Sequence, residues 1–175
     1  MSILAMYEAG QWHCPARVLT HLDDISVQLA ERGLLLAQIA ALAEDPLQQE
    51  HQARDWIAAQ GRAIPDTALA GERQGEPGYV EETTLVPAEA IRRSEGQWLL
   101  LGAGQARLCL AKADHALILA VRRGDLLWLP AGYDWALVPA PGTRCVWLEL
   151  AAQAQALNDK PVAGSKLGEL QLLDI

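Results

Sequence analysis

From Ala63 onward the chain is cut by glycine or proline at short intervals: Pro65, Gly71, Pro77-Gly78, Pro87, Gly102, Gly104, Gly124, Pro130, Gly132, Pro139 and Pro141-Gly142. Neither residue suits the interior of a long helix, so this part of the chain is confined to short extended segments joined by turns. The apolar runs between the breaks predict strands over 97–101, 105–111, 116–121, 125–129, 135–138 and 145–150. Strands in such succession, with no internal repeat, indicate a sandwich or a barrel.

The residues before Ala63 follow a different period. Thr20-His-Leu-Asp23 has the form of a capping box, and Leu22, Ile25 and Leu29 follow at helical spacing as far as Gly33, which predicts a helix over 20–32. The apolar run 34–41 reads as a strand. Asp45-Pro46 then supplies an N-cap and a first-turn proline for a second helix ending near Gly61. After Ala151 the Asn158-Asp-Lys-Pro161 and Gly164-Ser165 stretches predict a poorly ordered tail, apart from the apolar Leu170-Gln-Leu-Leu173.

With 175 residues, 51% of them hydrophobic, the chain can bury one substantial core, and a single domain is expected. A net charge of -8 argues against nucleic-acid and anionic-membrane partners, which call for clustered lysine and arginine. The start, Met-Ser-Ile-Leu-Ala-Met-Tyr7, has no basic region, and no apolar stretch approaches the roughly 20 residues of a membrane span; a soluble cytoplasmic protein is predicted. Cys14, Cys109 and Cys145 are an odd, widely spaced set that suggests reduced thiols rather than a disulfide framework. The chain has six tryptophans and no phenylalanine, so leucine, alanine and tryptophan must fill the core.

Gly124-Asp-Leu-Leu-Trp-Leu-Pro130-Ala-Gly132 follows the second sequence motif of the cupin barrel. Three further stretches accompany it in order: the opening Met1 to Tyr7, Val18-Leu-Thr-His-Leu-Asp-Asp-Ile25 through Leu29-Ala-Glu-Arg-Gly33, and Glu95-Gly-Gln-Trp-Leu-Leu-Leu-Gly-Ala-Gly104. On these residues the chain resembles the acireductone dioxygenases, cupin enzymes of methionine salvage, over 1–150. The resemblance implies a mainly β fold with some α structure: a cupin-like β-barrel, or double-stranded β-helix, carrying N-terminal helices. It implies one cupin domain over 1–150, with N-terminal strands and helices in 1–62 and the barrel in 63–150, followed by a C-terminal tail, 151–175.

The family holds Fe(II) or Ni(II) with three histidines and a glutamate, and cleaves its acireductone with dioxygen to a keto acid and formate. Carried over position by position, the paired histidines fall on Glu89 and Ile91, the glutamate on Glu95, and the last histidine on Trp135. The family's substrate-holding arginine falls on Gln97. Isoleucine and tryptophan offer a metal no lone pair, so no cofactor is expected. Fe(II) or Ni(II) would be present if the family reaction persisted through substituted ligands such as Glu89 and Glu95.

Asp134 is one residue out of register with the lost histidine and should face away from it. The chain's histidines, His13, His21, His51 and His115, read as surface or boundary residues. Alternation puts Glu95, Gln97 and Leu99 on one face of their strand and Gly96, Trp98 and Leu100 on the other. In the family register Glu95, Gln97, Leu99 and Trp135 would face the barrel interior, with Gln97, Leu99 and Trp135 either filling it or lining a pocket. Three functions stand open: a divergent, metal-free member binding a small ligand in the barrel, an acireductone dioxygenase with substituted ligands, and a structural or interaction protein with a filled barrel. The sequence specifies no oligomeric state.

Overall fold

A computed structural model of the chain describes residues 2–77, 90–157 and 161–172. Among the described residues eleven strands form two antiparallel sheets. They are β1 (Leu4–Glu8), β2 (Arg17–Leu19), β3 (Leu35–Gln38), β4 (Thr67–Gln74), β5 (Ile91–Arg92), β6 (Gln97–Ala103), β7 (Gln105–Ala111), β8 (His115–Arg122), β9 (Asp125–Leu129), β10 (Asp134–Pro139) and β11 (Arg144–Ala151). One sheet runs β2-β1-β8-β7-β10-β5 and the other β3-β9-β6-β11-β4. Strands from before residue 62 therefore contribute to both sheets.

The strands read as near-continuous apolar runs because each sheet is covered on both faces. Inward-facing Leu4, Met6, Leu99, Leu101, Leu108, Leu110, Leu117, Leu119, Leu127 and Leu137 fill the space between the sheets. On the second sheet the outward Trp98, Leu100, Leu126 and Leu150 pack under Ala53 and Ile57 of helix α2 (Pro46–Ala59). On the first sheet the outward Tyr7, Cys109 and Ile118 lie under Leu167, Leu170 and Leu172.

Helix α2 begins as its sequence dictates, with the Asp45 carboxylate accepting the Gln48 amide N–H at 3.1 Å and proline in the first turn. Helix α1 (Leu22–Ala30) is shorter than the predicted 20–32: its N-cap is His21, which makes no side-chain cap bond, so Thr20 stands outside it. Asp23 and Asp24 in the first turn complement the helix dipole instead. At the other end Gly33, with φ of 75°, allows the Leu34 N–H to reach the Leu29 carbonyl and close a Schellman turn.

Three strands were not anticipated from sequence, and each is an edge or near-edge element. β2 and β5 are short, and β4 is exposed along most of its length, with Glu72, Arg73 and Gln74 masking any alternation. The tail departs from the prediction before Leu170, whereas Leu170 and Leu172 are buried in the apolar stretch excepted from it. Residues 161–172 run along the first sheet, with Leu167 and Leu170 fully buried. Among the described residues no helix is long and apolar enough to cross a membrane.

Candidate functional site

The first sheet ends in β5 and the second in β4, and a cleft of about 290 Å³ opens between these edges. Its walls combine Leu69 and Gly71 from β4, Ile91 from β5, Trp135 and Leu137 from β10 and Trp147 from β11 with the charged Glu72 and Arg73 of β4 and Glu149 of β11. Ile91 and Trp135 are direct partners across the β5–β10 pair. The positions onto which two family histidines fall are thus brought face to face. Trp147 is the direct partner of Gly71 across β4–β11, and a Cβ at residue 71 would come within 2.2 Å of the indole. Only glycine there lets the indole lie across the neighbouring strand.

Behind Trp135 lies a buried polar group. Arg93, 4% exposed, donates from Nη2 to Glu149 Oε2 at 2.6 Å, from Nη1 to the Leu157 carbonyl at 2.7 Å and from Nε to Gln97 Oε1 at 3.2 Å. Its guanidinium lies 5.9 Å from the centre of the Trp135 ring. A guanidinium over an indole face is favourable, and desolvation strengthens the attraction. Arg93 thus stands within hydrogen-bond reach of Gln97, with its charge paired to Glu149. Glu149 Oε1 also accepts from Trp147 Nε1 at 3.4 Å, which ties one indole of the cleft to the ion pair.

Two N–H donors of this group have no partner among the described residues: Gln97 Nε2 and Trp135 Nε1, both buried. Leaving such a group unsatisfied costs about 1–3 kcal/mol. At the rim, Arg144 holds the Glu72 carboxyl below its usual range, chiefly through a side-chain hydrogen bond.

The structure brings together some of the sequence-predicted residues and separates others. Trp135 and Leu99 share the apolar core between the sheets, and Gln97 is buried and held by Arg93. Glu95 is exposed in the turn preceding β6, not on its inward face, and Glu89 lies outside the described residues. Asp134 turns away from the interior, as the register requires, and binds Arg92 at 2.6 Å and the Ser165 hydroxyl at 2.8 Å.

Sequence reasoning missed Arg93, Glu149, Trp147 and Gly71. Two signals could have found the ion pair. Period two from Ile91 places Arg93 inward, and Glu149 is the lone carboxylate of a strand otherwise nearly all apolar, where a buried charge requires an opposite one.

These residues do not fit a ferrous or nickel ion. Ile91 and Trp135 have no donor electrons to give a metal. Among the described residues no group of three or more histidines, cysteines, aspartates or glutamates is placed to hold a metal.

Two antiparallel sheets closed face to face, with the candidate site at their open edge, define a cupin-type β-barrel. An acireductone dioxygenase from Bacillus anthracis, with a cadmium ion in its active centre, has the same fold: the TM-score is 0.65 over 91% of this chain and 98% of that one, at 10% identity. No protein-family model matches the chain. The acireductone dioxygenase of Stutzerimonas stutzeri is 30% identical over 146 residues, covering 75% of this chain and 76% of its own. That of Pseudomonas fluorescens is 28% identical over 141 residues, with the same coverage. The chain belongs to the acireductone dioxygenase family.

Proposed function

We propose that this protein is a metal-independent member of its family, in which the dioxygenase reaction is lost and the remodelled barrel edge binds a small molecule. The observation that carries the reading is the pairing of Ile91 with Trp135 across β5–β10, with the Arg93 guanidinium over the indole. Fold identifies descent, whereas chemistry depends on the groups at the site. A metal bound by three family imidazoles would lose at least the two that fall on Ile91 and Trp135, and metal catalysis needs that coordination. The protein acts in the cytoplasm, with a small molecule and neither nucleic acid nor membrane as its partner.

The test is to produce the chain in medium supplemented with iron or with nickel, alongside the Stutzerimonas stutzeri relative. The expected result is no stoichiometric metal in this protein and no cleavage of 1,2-dihydroxy-3-keto-5-(methylthio)pentene under dioxygen. About one equivalent of metal that a chelator removes, with loss of an oxygen-consuming activity, would overturn the proposal.

A further inference from the structure

We infer that a second small-molecule site lies outside the barrel, at the β3 edge of the second sheet, and that it takes a monocarboxylate carrying a compact apolar body. This goes beyond the reading above and does not depend on it. A pocket of about 490 Å³ opens there between helix α1, strand β3 and the turn that follows helix α2. Ser26 and Ala30 of α1, Leu35 and Leu36 of β3, Trp128 of β9 and Arg62 form its wall, together with Gly33 and Leu34. The volume is in the range of ligand pockets and leaves room for a ring with a short side chain.

Charge decides the head group of the ligand. Arg62 is the one ionisable side chain on the pocket wall; it is exposed and has no carboxylate partner among the described residues. An aromatic row holds it from behind: its guanidinium lies 5.4 Å from the centre of the Trp98 ring, and Trp98 packs against Trp128 at 5.3 Å. A guanidinium positioned in this way takes a carboxylate through two parallel N–H···O bonds. One positive charge matches a monoanion, whereas a phosphate monoester, at about −2, would be only half compensated. The head belongs on the Arg62 side, because α1 ends at Ala30 and presents the negative end of its dipole there. The apolar body then lies along Trp128, Leu35 and Leu36, all half-buried and so open to an occupant. Trp128 can lie across the sheet because residue 96 is glycine: a Cβ there would come within 2.3 Å of the indole.

The experiment uses full-length protein labelled with ¹⁵N at the indole nitrogens, with Trp128→Phe to assign the Trp128 Nε1–H resonance. It is titrated with 3-phenylpropionate, with the alcohol and the amine of the same skeleton, and with acetate. 3-Phenylpropionate should move the Trp128 resonance saturably, and the other probes should each bind about tenfold or more weakly, the scale of a charge-assisted hydrogen bond. Arg62→Gln should bring the carboxylate down to the level of the alcohol, and Arg62→Lys should recover only part of the loss, because an ammonium does not match both carboxylate oxygens. The inference is overturned by a Trp128 resonance that no probe moves, by the alcohol or the amine binding as well as the carboxylate, or by an Arg62→Gln protein that binds the carboxylate as tightly as before. It is also overturned if the Trp128 resonance shifts with protein concentration alone while the sedimentation coefficient rises, which would make a second copy of the chain the occupant. None of these outcomes bears on metal content, so the metal-free reading stands or falls separately.

Discussion

Arg93 shows how one residue can redefine an inherited site. The guanidinium brings a permanent charge into the interior, where it needs Glu149 as counter-ion and the Leu157 carbonyl and Gln97 amide oxygen as further acceptors. Burying two charges is costly, and removing one partner leaves the other uncompensated. Arg93→Met should therefore destabilise the protein by about 3–5 kcal/mol in urea unfolding, and a further Glu149→Leu should restore much of that loss. A change within about 0.5 kcal/mol for Arg93→Met would show that the pair is not buried as described. The residue level was also the least legible in the sequence. The absence of histidine at 91 and 135 could be read directly, but the ion pair joins Arg93 to Glu149 across 56 positions, and no local pattern links them.

At the level of elements, the long apolar strands were legible because burial on both faces leaves a continuous hydrophobic run. The edges and the tail were not. Strand β4 owes its place to eight register pairs with β11 rather than to its own side chains. In the tail, Leu167, Leu170 and Leu172 follow neither the helical nor the strand period, since a short 3₁₀ turn over Lys166–Glu169 gives way to extended chain. The Ser165 hydroxyl accepts the Leu167 N–H at 3.2 Å and donates to Asp134, while the Val162 N–H bonds the Ala90 carbonyl at 3.1 Å beside β5. The tail thus covers one sheet and braces the strand that carries Ile91. Leu170→Ala should cost about 2–5 kcal/mol, as for other fully buried leucines, measured by thermal or urea unfolding. A loss below about 0.5 kcal/mol would mean that the tail rests on the sheet without contributing to its stability.

Across the whole molecule, the cysteines lie in three different environments and can report how the layers separate. Cys14 is exposed, Cys145 belongs to the core between the sheets, and Cys109 lies on the outer face beneath the tail. Burial pushes the Cys109 thiol up to about 12 and the Cys145 thiol up to about 11, so neither supplies appreciable thiolate at neutral pH while the fold is closed. A disulfide reagent should therefore label native protein rapidly at Cys14 alone and reach all three thiols only in denaturant. In a Cys14→Ser background the slow labelling separates two modes of opening. Lifting the tail uncovers Cys109, whereas Cys145 requires the two sheets to part, which disrupts the larger core. Local opening is less costly than global unfolding, so Cys109 should react faster than Cys145, and Leu170→Ala should widen the difference. Equal rates that rise together in that variant would instead make tail and barrel one cooperative unit.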